Sequence, residues 1–70
     1  MPTAHHSHII DPLLTGDEAA AILKLQPATL EWWRARKKGP PFVKAEGSLG
    51  AVRYRTSDLR EWIESRVVRP

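Results

Sequence analysis

Seventy residues with 41% apolar side chains make one small domain that buries only about 60% of the surface its unfolded chain exposes. The chain has no cysteine, its longest apolar run is residues 19–23, and no basic segment followed by an apolar stretch opens it; no disulfide or thiolate-metal staple, membrane span or signal peptide is expected, and the expected setting is cytoplasmic. The net charge of +3 hides a split: over residues 34–55, Arg34, Arg36, Lys37, Lys38, Lys44, Arg53 and Arg55 face the single acid Glu46, while the rest of the chain sums to −3. Such a stretch reads either as one electropositive face for a polyanion or as a solvated basic loop. With so few staples available, the core is expected to rest mainly on three Trp and seven Leu.

Residues 1–12 hold three His and two Pro without apolar periodicity, and are read as a flexible tail ending near Asp11 and Pro12. The His5-His6-Ser7-His8 cluster lacks the supporting structure that fixes ligand geometry, so no metal or other cofactor is assigned to it. Thr15-Gly16-Asp17-Glu18 has the spacing of a capping box and opens a first helix ending near Lys24, with Ala19, Ala20, Ile22 and Leu23 as its apolar side. Pro27 suits a first helical position, and a second helix follows through Leu30 and Trp33 to about Lys37. Two short helices joined across Leu25 and Gln26 are the pattern of a helix-turn-helix, whose second helix is expected to carry a polar, basic outer face.

Gly39-Pro40-Pro41 is expected to end the second helix. Strands are expected over residues 42–44 and 51–55, with Val52 and Tyr54 facing one way, Arg53 and Arg55 the other, and residues 46–50 as the hairpin loop. Thr56, Ser57 and Asp58 offer capping groups for a third helix with Leu59, Trp62, Ile63 and Arg66 or Val67 at helical spacing. Trp33 and Trp62 are assigned to the core. The predicted class is mainly α with a small β-hairpin, a winged helix-turn-helix, over residues 13–67, between the tail and a short C-terminal tail at 68–70.

The ordered set Leu14-Thr15, Glu18-Ala19-Ala20, Leu23, Leu25, Thr29-Leu30, Trp33-Arg34, Gly39-Pro40-Pro41, Val52-Arg53-Tyr54-Arg55, Ser57-Asp58-Leu59 and Trp62-Ile63 resembles the small winged-helix proteins grouped with phage excisionases and AlpA-type regulators, relatives of the MerR DNA-binding domain. The resemblance spans residues 13–66. It implies a second helix in the major groove of double-stranded DNA, with Gln26, Ala28, Thr29, Arg34 and Arg36 facing the groove. Lys37, Lys38, Lys44, Arg53 and Arg55 would lie nearer to phosphates. Arg34 is the first candidate for a base edge, because a guanidinium bonds guanine with two donors. Trp32 either donates its indole N–H to a phosphate, as the resemblance implies, or packs partly exposed on a neighbouring helix. Gln26 before Pro27, where a small hydroxyl cap is more usual, and Ala51, at a wing position often basic, depart from the family pattern.

The implied function is that of an excisionase, a recombination directionality factor that bends attachment-site DNA to promote excision by a tyrosine integrase, with cooperative self-association on DNA. An AlpA-like transcriptional regulator is the alternative, and a protein-interaction module ranks below it. No enzyme is expected. The chain has no Gly-rich phosphate loop, HExxH pair or Cys nucleophile, all its histidines fall in the tail, and Ser57 and Asp58 read as capping groups.

Overall fold

The computed structural model describes residues 11–44 and 51–70. The expected tail up to residue 10, with its His cluster, and the expected hairpin loop lie outside the described residues. The elements run β1 (Leu13–Thr15), α1 (Gly16–Leu23), α2 (Pro27–Ala35), β2 (Val43–Lys44), β3 (Val52–Arg55) and α3 (Thr56–Ser65). They form the winged helix-turn-helix expected from the sequence, with one addition. Among the described residues the sheet has three strands in the order β1-β3-β2 rather than a two-stranded hairpin. β1 pairs antiparallel with β3, Leu14 opposite Tyr54, and β2 pairs antiparallel with the start of β3, Lys44 opposite Val52. Three residues carry no readable periodicity, and Leu13–Thr15 becomes a strand only because β3 offers it a partner edge.

α1 begins as its sequence dictates. The Thr15 hydroxyl accepts from the Glu18 N–H at 3.0 Å, and the Glu18 carboxylate accepts from the Thr15 N–H at 2.8 Å. The helix closes at Lys24, which takes the left-handed conformation (φ 61°), while the Leu25 N–H returns to the Ala20 carbonyl at 2.9 Å. α2 starts on Pro27 after an extended Gln26 whose side chain makes no cap.

The end of α2 differs from expectation. The helix stops at Ala35, and Lys37 at φ 57° turns the chain back, so that the Lys38 N–H reaches the Trp33 carbonyl at 2.8 Å. This left-handed turn, not the proline pair, terminates the helix. Gly39 then lies at φ 82°, and a Cβ there would stand 2.6 Å from the Trp33 ring. Conformation and packing both require glycine at this position.

The start of α3 also differs. Its N-cap is Arg55, with no side-chain cap, and the three groups expected to cap it bind elsewhere. The Thr56 N–H and hydroxyl both donate to the Pro12 carbonyl, at 3.1 and 2.7 Å, and the Ser57 hydroxyl donates to the Asp11 carboxylate. Asp58 accepts two bonds from the Arg55 guanidinium, at 2.7 and 3.0 Å. Asp11 and Pro12, read as the end of a flexible tail, are thus fastened to the third helix.

The buried core is Ala19, Ala20, Leu30, Tyr54 and Leu59, with Leu14, Leu23, Trp33, Val52 and Ile63 packed around it. The core does not rest on the tryptophans, contrary to the expectation from their size. Alanines bring α1 close to its neighbours, and Tyr54 is the largest side chain fully enclosed. Trp33 only lines the core, and Trp62 packs beside it, ring centroids 5.7 Å apart, outside the central cluster. The Trp62 indole N–H is buried without a hydrogen-bond partner among the described residues.

Candidate nucleic-acid interface

Leu30 and the inward sides of Trp33 and Arg34 fix the rotation of α2, so Ala28, Glu31, Trp32 and Ala35 point outward and are exposed. The outer face is therefore largely apolar with one acid, and the expectation of a basic outer face fails along the helix itself. The basic residues gather instead in the turn that follows. The Arg36 guanidinium lies 4.0 Å from the centre of the Trp32 ring and the Lys38 ammonium 5.6 Å from it. Trp32 remains 48% exposed within this clasp. Because helical side chains lean toward the N-terminus, the ring also borders Ala28 and Thr29, one turn back. Ala28, Thr29, Trp32 and Trp33 line an open, shallow depression of about 370 Å³.

Arg34 is arranged differently from a base reader. Its Nη1 donates to the Tyr54 hydroxyl at 2.9 Å, and its guanidinium carbon lies 5.9 and 6.0 Å from the centres of the Phe42 and Tyr54 rings. The half-buried guanidinium joins α2 to the central strand and to the residue preceding β2. It fixes how the second helix sits relative to the wing. The partners Phe42 and Tyr54 were not among the site residues expected from sequence, and nothing in a contact twenty residues apart marks it in advance.

The remaining candidates divide by location. Gln26 and Ala28 are exposed and Thr29 is half-buried at the N-terminal end of α2; Arg36, Lys37 and Lys38 are exposed at its C-terminal end, and Lys44 is exposed on β2. Lys37 and Lys38 share with Arg34, Gly39 and the proline pair a second groove, of about 420 Å³. Strand alternation turns Arg53 and Arg55 to the face of the sheet opposite Tyr54, and so opposite the Arg34 contact. Arg53 donates to the Val52 carbonyl at 2.8 Å. Arg55 is held by Asp58, whose hydrogen bond and charge push the guanidinium pKa further up. Among the described residues no three His, Asp or Glu side chains converge as a metal site, and no helix is long and apolar enough to cross a membrane.

Two helices joined by a three-residue turn, a third helix across the core, and a wing strand pair beside a lysine-rich turn define a winged helix-turn-helix protein. The helix-turn-helix domain family model matches residues 13–67, and the chain belongs to that family, a DNA-binding one. No curated protein and no solved structure matches the chain significantly.

Proposed function

We propose that this DNA-binding protein is an excisionase: it binds and bends attachment-site DNA and thereby favours excision by a tyrosine integrase. The observation that carries the reading is the helix-turn-helix family match over residues 13–67, since that family includes excisionase-like proteins. The geometry supplies a compatible mode of contact. With α2 in the major groove, Gln26, Ala28, Thr29 and Trp32 meet base edges, while Arg36, Lys37 and Lys38 at the helix end and Lys44 on the wing strand meet phosphates on either side. Arg34 holds the helix to the wing. Arg53 and Arg55 lie on the other sheet face and take no primary part in this contact.

Contacts through a helix and a wing favour a duplex that curves toward the protein, because the curve lets both bind at once. A single module of this size covers about 600–1,000 Å² of its own surface on DNA, which favours several protomers on adjacent sites. The test has two parts. Circularly permuted duplexes carrying a site selected from a randomised pool are expected to migrate according to the position of the site, with stepped complexes as protein is added. Recombination by a tyrosine integrase on the selected site is expected to shift toward excision when the protein is present. A single unbent complex, with recombination unchanged by the protein, would overturn the excisionase reading in favour of a transcriptional regulator.

A further inference from the structure

The outer face of the second helix has an unusual chemistry for a surface that reads DNA. Of its outward residues Ala28, Glu31, Trp32 and Ala35, three are apolar, and Arg34, between Trp32 and Ala35 in sequence, is engaged with Tyr54. Arg34 is the one arginine within α2, so the helix itself has no guanidinium free to bond a guanine edge; that of Arg36, from the turn that follows, lies over the Trp32 ring. What stands along the helix is the concavity between the Trp32 ring and Ala28 and Thr29, with Trp33 as its back. Arg36 and Lys38 gather on the Trp32 ring. A small apolar hollow beside two cations suits an apolar group carried on a polyanion.

In the major groove, the only apolar group that a base pair presents is the 5-methyl of thymine. We propose that this concavity receives a thymine methyl group, and that Trp32 is the residue that distinguishes thymine from the other bases. The Thr29 hydroxyl, on the same lining, supplies a donor for the thymine O4 beside that methyl. Arg36 and Lys38, gathered on the Trp32 ring, neutralise the flanking phosphates and hold the indole in place. The proposal rests on the DNA-binding reading and adds to it the chemical feature that is read. It predicts a preference set by a methyl group rather than by a pair of hydrogen bonds.

The experiment alters the DNA rather than the fold. Duplexes of 20 base pairs are selected from a randomised pool by the full chain, and the selected site is then resynthesised with deoxyuridine replacing thymidine at one position at a time. This substitution removes the methyl and keeps every hydrogen-bonding group. At one or two positions affinity is expected to fall about fourfold, the worth of one buried methyl-sized group. Trp32→Ala, at an exposed position, is expected to bind thymidine and deoxyuridine duplexes equally, with circular dichroism showing it folded.

A selected site without an enriched thymine, equal binding of the wild-type chain to all deoxyuridine variants, or methyl discrimination retained in Trp32→Ala would each overturn the proposal. In those outcomes the chain still binds DNA and the hollow is left to another occupant, such as a protein partner. Loss of the DNA-binding reading has a different signature, the absence of salt-dependent binding to any duplex.

Discussion

At the residue scale, Arg34 and Trp62 carry the clearest consequences. The Tyr54 hydroxyl is enclosed and its partner is the Arg34 guanidinium. Truncating the arginine leaves a buried hydroxyl with one fewer partner, whereas removing the hydroxyl leaves a half-exposed guanidinium that water still solvates. Arg34→Ala is therefore expected to cost about 2 kcal/mol and Tyr54→Phe about 1 kcal/mol or less in urea denaturation. If Arg34 instead spent its charge on a base, Arg34→Ala would lose DNA affinity at unchanged stability. Trp62 presents the opposite case, a buried donor without a partner among the described residues. Trp62→Phe removes that donor and keeps most of the ring against Trp33, so its cost is expected to stay within about 1 kcal/mol. Trp62→Ala is expected to cost about 2–3 kcal/mol, less than a fully enclosed tryptophan, because the ring is only half-buried. Equal losses for the two variants would show that the indole N–H is satisfied in solution.

At the scale of the element, both helices of the helix-turn-helix close on a left-handed lysine, Lys24 at φ 61° and Lys37 at φ 57°. A side chain in that conformation costs about 1 kcal/mol, which glycine avoids. Lys24→Gly and Lys37→Gly are each expected to raise stability by about 0.5–1 kcal/mol in thermal or urea unfolding, less the entropy that glycine restores to the unfolded chain. Their effects on DNA are expected to diverge. Lys24 closes the first helix, away from the turn that carries Arg36 and Lys38, and its replacement leaves affinity nearly unchanged. Lys37 sits in that turn, and Lys37→Gly exchanges stability for weaker binding. If both glycine variants bind DNA as tightly as the parent, the turn after α2 is not a phosphate contact.

At the scale of the whole molecule, binding is expected to respond to salt through the bases free to meet phosphates. Arg36, Lys37, Lys38 and Lys44 are exposed, while Arg55 is engaged with Asp58. Four phosphate contacts release enough counterions for log Kobs to fall with log salt at a slope of about −3 to −4. Lys38→Ala is expected to reduce that slope by about 1 and to weaken random and selected duplexes alike. Asp58→Asn releases Arg55 on the opposite sheet face and is expected to leave the slope as it is. Anisotropy titrations between low and physiological salt measure all three, and a slope that steepens in Asp58→Asn would bring the outer face of the sheet into the interface.

Local chemistry made part of this protein legible in its sequence. The Thr15 and Glu18 capping box, Pro27 at the first position of the second helix, and the alternation that buries Tyr54 and exposes Arg55 each depend on residues a few positions apart, and each appears in the fold as expected. The helix-turn-helix itself followed from two such helices separated by a short turn. Most of the departures involve partners distant in sequence, while the Arg55–Asp58 pair, three residues apart, and the left-handed turn at Lys37 are local. β1 needed the edge of β3; Thr56, Ser57 and Asp58 left the cap of α3 for Pro12, Asp11 and Arg55; and Arg34 turned from the outer face to Tyr54. The tryptophans were placed by size alone, but a small core with alanines on α1 closes around Tyr54 and leaves Trp33 and Trp62 at its margin. Sequence periodicity determined which segments are helices and where the charge lies. Only the packing of those segments decided which cations remain free, because a charged or hydroxyl side chain binds whatever the fold brings beside it.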